Sequence, residues 1–513
     1  MVGAGILLSR LAGLIRDRAF AHYFGNSDAA DAFRAAFRIP NVLQNLFGEG
    51  VLSASFIPAY AGLLARGDRK HAGELAGAIA VILGLVVSLL VLVGIWIAPY
   101  LIAVIAPGFA GEKRELCIRL VRIFFPGAGL LVLSAWCLGI LNSHGRFLLS
   151  YTAPVVWNAA IIVTLLLFGG ARSQFPLATL TAWGSVVGSL LQVVMQVPIV
   201  LRLVDRLRWR VDFRLAEIKS VIANFLPVFV GRGVVQISAY VDSLLASLLP
   251  TGAVAGLGYA QTLYMLPVSL FGMAVSAAEL PAMSSALGTQ EEIARQLRSR
   301  VNAGLRQIAF CIVPSAVAFL ALGDVVTATI YQSGRFTRAD VVYVWGILAG
   351  SAVGLLASTL GRLYASSYYA LRDTRTPLRF AIVRVTLTIL FGYLAAIPLP
   401  PLLGIDPKWG VAGLTVSAGV AGWLEFVLLR ATMNRRIGPT GLPLPFTLQL
   451  WGAAIIGAGV GWIIKWTIGP LHPLVIAVFV LGPYGLVYLA VVLLFGVPEA
   501  HRALGRARRW VGV

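Results

Sequence analysis

The sequence predicts an all-α polytopic membrane protein with fourteen transmembrane helices. They form two six-helix lobes around a central cavity, with two further helices at the C-terminus. Three observations carry this. Hydrophobic residues make up 59% of the 513 and charged residues only 12%, with a mean hydropathy of +0.87. Soluble domains carry roughly 25% charged residues, so a water-soluble surface cannot be built from this chain. Fourteen stretches meet the roughly 20 apolar residues that a bilayer crossing needs, and the two halves of the chain repeat one another weakly.

The first span, 3–24, is interrupted by Arg10, Arg16, Asp17 and Arg18, and no clean apolar core precedes a cleavage site, so it does not read as a removable signal. The second, 29–62, is too long for one straight crossing; Pro40, Pro58, Gly48 and Gly50 predict a kinked or broken helix. Spans three to six cover 75–105, 116–141, 151–169 and 176–200. The basic stretch 202–219 reads as an amphipathic helix on the inner leaflet. Spans seven to twelve cover 221–248, 254–285, 301–322, 340–370, 377–398 and 409–432, and the last two cover 446–467 and 472–496. These leave room for short loops but for no soluble domain.

The repeat pairs the first two spans with spans seven and eight. Each pair has a polar-interrupted helix, a tight turn and a proline-kinked helix, so that Pro40 and Pro58 correspond to Pro267 and Pro281. GRFLLSYTAPV at 145–155 resembles RDTRTPLRFAIV at 372–383 in the same relative place. The expected organisation is an N-terminal lobe at 1–205, a linker at 206–220, a C-terminal lobe at 221–436, and the final helices with a basic tail at 437–513. Two facing lobes are a common transporter plan.

Net charge is +20, from 41 Lys and Arg against 21 Asp and Glu. In a membrane protein this excess is explained by inner loops rather than by nucleic acid. With the N-terminus inside, the inner segments hold 24 Lys and Arg and the outer segments eight. Both termini are therefore expected in the cytoplasm.

The informative charges lie inside the spans, where each costs about 2.5–3.5 kcal/mol on insertion scales. Arg10 and Asp17, seven residues apart, share a helix face, with Arg16 beside them. Asp31, Arg34, Arg38, Asn41 and Asn45 form one polar stripe, joined by Gln44, and Glu49 follows near a glycine pair. Such a stripe must face another helix or a wet cavity. One reading is a set of structural ion pairs, with Asp17 and Asp31 locking the first two helices. It leaves Arg10, Arg16, Arg34 and Arg38 short of acids. The other is a cationic cavity for an anion, and the planar arginine fork suits phosphate or diphosphate. In the second half, Arg232 and Asp242 lie in span seven, Arg362 in span ten, Arg384 in span eleven and Glu425 in span twelve. Asp242 and Arg384 read as a buried pair or as a cation-coupling site.

Enzyme signatures are missing. The five histidines make no metal-ligand spacing, no Gly-Lys-Ser/Thr phosphate loop is present, and Cys117, Cys137 and Cys311 read as packing residues.

The opening run SRLAGLIRDRAFAHYFG…DAADAFRAAFRIPNVLQNLFGEGVLSASFIPAYA resembles the MurJ (MviN) lipid II flippases of the multidrug/oligosaccharidyl-lipid/polysaccharide exporter superfamily. APGF at 106–109, LNSHGRF at 141–147, YQSGRFT at 331–337 and RDTRTP at 372–377 continue the likeness. The resemblance implies fourteen helices and alternating access. It implies transfer of an undecaprenyl-diphosphate-linked peptidoglycan precursor across the bacterial cytoplasmic membrane, with other cell-wall synthesis proteins as partners and no cofactor. The alternative is a relative in the same superfamily that moves another polyprenyl-linked glycan. Carried over by residue, the cavity positions are Arg10, Arg16, Asp17, Asp31, Arg38, Asn41 and Glu49. The chain departs from the family at Gln44 and at Thr262, where arginines are usual, and Arg232 is expected to supply the missing charge. A family sodium site would use Asp242, but Thr388 and Gly392 stand at its other positions. This argues against sodium coupling and points to Arg384 as the partner of Asp242.

Overall fold

The computed structural model describes residues 2–44, 46–47, 52–204, 217–218, 221, 240–284, 289–469, 471–502 and 505. Those residues are helical nearly throughout and form two compact units. The first is Met1–Ala255 together with Ser333–Phe336; the second is Gly256–Gln332 together with Thr337–Val513.

The first unit holds α1 (Val2–Phe24), α2 (Asp28–Leu43), α3 (Ser53–Ala65), α4 (Arg69–Ile105), α5 (Gly111–Ser143), α6 (Phe147–Phe168) and α7 (Gln174–Leu203). Helix α5 is apolar on nearly every face over 123–141, beyond the exposed Arg119 and Arg122, and is accordingly buried there, with α2, α4 and α7 packed on the helix. Helix α6 joins α1 to α7. Small residues set the spacing: a Cβ on Gly188 of α7 would stand 2.9 Å from the Trp157 carbonyl oxygen of α6. Helix α4 has two faces. Leu75, Ala76, Ile79, Leu83, Val87, Ala98 and Ile102 are buried, whereas Leu85, Leu89, Leu92, Trp96 and Tyr100 form an exposed stripe at helical spacing. So continuous an apolar stripe has lipid as its solvent.

The second unit begins within α8 (Ala253–Pro267), which passes through a π-helical turn (Val268–Met273) into α9 (Ala274–Ser284). It continues with α10 (Gln290–Ala321), α11 (Gly323–Tyr331), α12 (Arg338–Ala352), α13 (Leu355–Ala370), α14 (Arg375–Ala396), α15 (Gly410–Ile437), α16 (Leu444–Ile468) and α17 (Pro473–Leu494). Helix α15 packs against α12, α13 and α14, and α10 packs against α13 and α16. Ten helices of the described residues are long and apolar enough to cross a membrane, or eleven if α12 and α13, bent by 44° at their junction, make one crossing. The charged α1 and α2 fall outside that set, and residues 222–239 of the expected seventh span lie outside the described residues.

Two local features bear on the repeat. The over-long second span is not one α-helix: α2 ends at Leu43 and α3 starts at Ser53, with π-helical geometry at 44, 46, 47 and 52. Pro40 is thus followed by a π-helical turn, as is Pro267. The corresponding loops at 145 and 372 also end their helices alike. Gly145 N–H donates to Asn142 and Arg146 N–H to Leu141, while Arg372 N–H donates to Tyr369 and Asp373 N–H to Tyr368. Both are Schellman ends with a left-handed residue, φ 71° at Gly145 and 58° at Arg372. The second turn is held by Asp373, which accepts from the N–H groups of Arg375 and Thr376, the Thr376 hydroxyl and Arg436. The Thr376 hydroxyl, then its N–H, and then Arg436 pull the Asp373 carboxyl down to about 2 from 3.8. That contribution is complete above the ordinary carboxylate range and fades only as pH falls through about 2.

The α12–α13 bend lies against α15 at a contact between two glycines: a Cβ on Gly354 would fall on the Cα of Gly419. No flexible side chain can yield there. Gly354→Val is expected to cost about 1–3 kcal/mol and to lower the melting temperature of the purified protein. An unchanged melt would refute the close approach.

Candidate substrate site

The intramembrane charges of α1 and α2 meet in the first unit. Asp17, 4% exposed, accepts at Oδ1 from Arg16 Nε (3.2 Å) and Nη2 (3.0 Å) on its own helix. Arg34 Nη1 of α2 lies 3.5 Å from the same oxygen. Two guanidiniums thus share one carboxylate, and the three side chains together carry one excess positive charge. Aromatic faces complete their setting. Arg16 lies over Phe37 (5.3 Å) and Trp157 (5.6 Å), rings stacked 5.5 Å apart at 5°, and Arg34 lies over Phe20 (5.0 Å). Arg16 Nη1 also donates to Asn158 Oδ1 at 3.0 Å. Arg16, Asp17, Phe20, Phe33, Arg34, Phe37 and Ile161 line a narrow hollow with free space for about one water molecule. A cationic group against aromatic rings, away from bulk water, attracts an anion more strongly than the same group in water.

The α1–α2 pairing through Asp17 and Arg34 matches the ion-pair reading, but Asp31 does not belong to it. Asp31 is 1% exposed and binds Lys113 Nζ of α5 at 2.6 Å. It also accepts from the N–H groups of Gly252 (2.8 Å) and Ala255 (2.7 Å), at the N-terminus of α8. Asp28 accepts from the same lysine (2.9 Å) and from Thr251 (2.9 Å). The expectation that Asp31 holds a cavity arginine is therefore corrected. A nearer lysine and two unsatisfied helix-start amides claim its oxygens.

A second correction concerns Arg384. Its partner is Glu425, at 3.0 Å between α14 and α15, not Asp242. Asp242 belongs to the first unit, where Arg38 is under its electrostatic influence together with Tyr240 and Arg34. Thr388 is buried on α14. Arg10 is exposed; Asn41 and Gln44 are half-buried on and just beyond the end of α2. Thr262, in the second unit, is half-buried and donates to the Gly258 carbonyl of its own helix at 3.1 Å. Glu49 and Arg232 lie outside the described residues.

Sequence reasoning missed Phe33, Phe37, Trp157, Asn158 and Lys113. A signal was present for four of them. Phe33 and Phe37 each precede an arginine of the stripe, and Trp157-Asn158 puts the one side-chain amide of 151–169 into an otherwise apolar run. Lys113 looked like an ordinary outer-loop charge.

The family model described as "Lipid II flippase MurJ" matches residues 20–483. The lipid II flippase MurJ of Burkholderia cenocepacia is 32% identical over 462 residues, covering 88% of this chain and 87% of its own length. A probable lipid II flippase MurJ of Haemophilus influenzae is 30% identical, with 82% and 83% covered. Among solved structures, a lipid II flippase MurJ in an inward closed conformation superposes with a TM-score of 0.79 at 23% identity, covering 96% of this chain and 98% of its own. An inward-facing multidrug transporter of the MATE family superposes at 0.66 and 17% identity, with 83% and 95% covered. These structures share the fold. The matched length and the identity to the curated relatives place the chain in the MurJ family of lipid II flippases, as a membrane transporter and not a catalyst.

Proposed function

We propose that the chain carries lipid II, the undecaprenyl-diphosphate-linked peptidoglycan precursor, from the inner to the outer leaflet of the bacterial cytoplasmic membrane by alternating access. The observation that carries this reading is the pair Arg16 and Arg34 on the single carboxylate of Asp17, in an aromatic-lined hollow of a MurJ-family chain. One excess cation there seats a diphosphate, and Arg38 and the exposed Arg10 extend the cationic path. Asp17 keeps the empty site from repelling itself apart, yet leaves charge for the ligand. The polyprenyl tail stays in lipid, since burying it in protein gains nothing over bilayer hydrocarbon.

Both termini are cytoplasmic in this proposal, supported by the 24 to eight distribution of Lys and Arg. Transport needs no cofactor and no sodium. The membrane potential acts on the cationic site, at about 2.3 kcal/mol per charge per 100 mV. Arg232, if it reaches the site, replaces the arginine that the family carries at position 262.

Complementation of a cell depleted of its own flippase tests the reading. Arg16→Ala and Arg38→Ala, at normal protein level, should fail to support growth; normal growth of Arg10→Ala, Arg16→Ala and Arg38→Ala alike would end the diphosphate-clamp proposal. Arg232→Ala should lose function and regain it on adding Thr262→Arg. Lys113→Met should behave differently from these. It strands a buried carboxylate at a cost of about 3–5 kcal/mol, so the melting temperature should drop along with activity, and by more than in Arg16→Ala, where Arg34 still faces Asp17.

A further inference from the structure

We infer that Asn158 is a positioning residue for Arg16, and that it makes the site select a diphosphate over a monophosphate. This rests on the proposed seating of a diphosphate at Arg16. Asn158 is 4% exposed. Its Nδ2 donates to the Pro154 carbonyl of its own helix at 2.9 Å, which fixes the amide plane and turns Oδ1 toward Arg16 Nη1 at 3.0 Å. The adjacent Trp157 is fixed as firmly. Its indole N–H reaches both the carbonyl and the hydroxyl of Ser185 at 3.1 Å, and Gly188 allows α7 to approach this closely.

Arg16 is thus held from three directions: the Asp17 carboxylate on one edge, the Asn158 amide on one terminal nitrogen, and the Phe37 and Trp157 rings below. A guanidinium has five N–H donors. Three are used, which leaves one on each terminal nitrogen. Asn158 is neutral, so it orients the guanidinium without consuming its charge, as a second carboxylate would. A fixed pair of donors rewards a ligand whose oxygens span a defined distance. A mobile guanidinium would follow any phosphate and discriminate little.

The test compares a short polyprenyl diphosphate with the matching monophosphate, binding each to the purified full-length protein. Wild type should prefer the diphosphate. Asn158→Leu, close in volume, should shrink that preference by about tenfold, the scale of one hydrogen bond to a charged group, without lowering the melting temperature. In an Arg16→Ala background the same substitution should change neither affinity, because its effect passes through Arg16. Asn158→Asp is the near-isosteric second variant, in case the leucine form does not fold. By neutralising Arg16 it should weaken both ligands. Additive effects in the double variant, or an unchanged preference in both Asn158 variants, would overturn the positioning role while leaving the diphosphate site standing. Undiminished diphosphate binding by Arg16→Ala alone would remove the site and the positioning role together.

Discussion

The organisation of the first unit turns on one carboxylate oxygen shared by two guanidiniums. A lone arginine in hydrocarbon is costly, and a fully matched ion pair offers a ligand little. Asp17 sits between these limits. Its Oδ1 receives Arg16 from the same helix and faces Arg34 from the next, so the charges that burden each helix also hold the two helices together. The remaining burden is spread over ring faces, Phe37 and Trp157 under one guanidinium and Phe20 under the other. Aromatic rings suit this place because they are apolar toward the bundle and electron-rich toward a cation.

The two acids of α1 and α2 serve different ends although the residue type is the same. Asp17 leaves positive charge over. Asp31 is met by a lysine and two helix-start amides, and little of its accepting capacity is left for a ligand. Surroundings alone divide them: Asp31 lies near the start of α2, where α8 begins, and Asp17 lies deeper, among the rings.

Most of the fold was legible because it rests on apolar run length and on proline and glycine. The interrupted α-helix of the second span, the irregular turn after Pro267 and the paired turns at 145 and 372 all followed from residues visible in the chain. The bend between α12 and α13 did not. It depends on Gly354 meeting Gly419, sixty-five positions away, and a single glycine in an apolar run announces no partner. The site was legible in its charges and obscure in its pairings. Polar residues stand out at any mid-membrane position, but which acid meets which base depends on helix packing. So Arg384 was matched to Asp242 when Glu425 stood one helix away, and Lys113 was read as loop charge. The rings were overlooked because nothing in an apolar run says which phenylalanine faces a guanidinium, although Phe33 and Phe37 each precede an arginine.

Helix α4 runs for 37 residues, which at 1.5 Å per residue is about 55 Å, while hydrocarbon is about 30 Å deep. Its exposed stripe occupies the second half, from Leu85 to Tyr100. The helix is therefore longer than a straight crossing needs, and in its opening turns Leu75, Ala76 and Ile79 pack in one cluster with Tyr60, Trp136 and Ile140. The same cluster runs on through Leu83 and Val87, level with the start of the exposed stripe, so the surplus length is tied by side-chain packing to the part of the helix that carries the stripe.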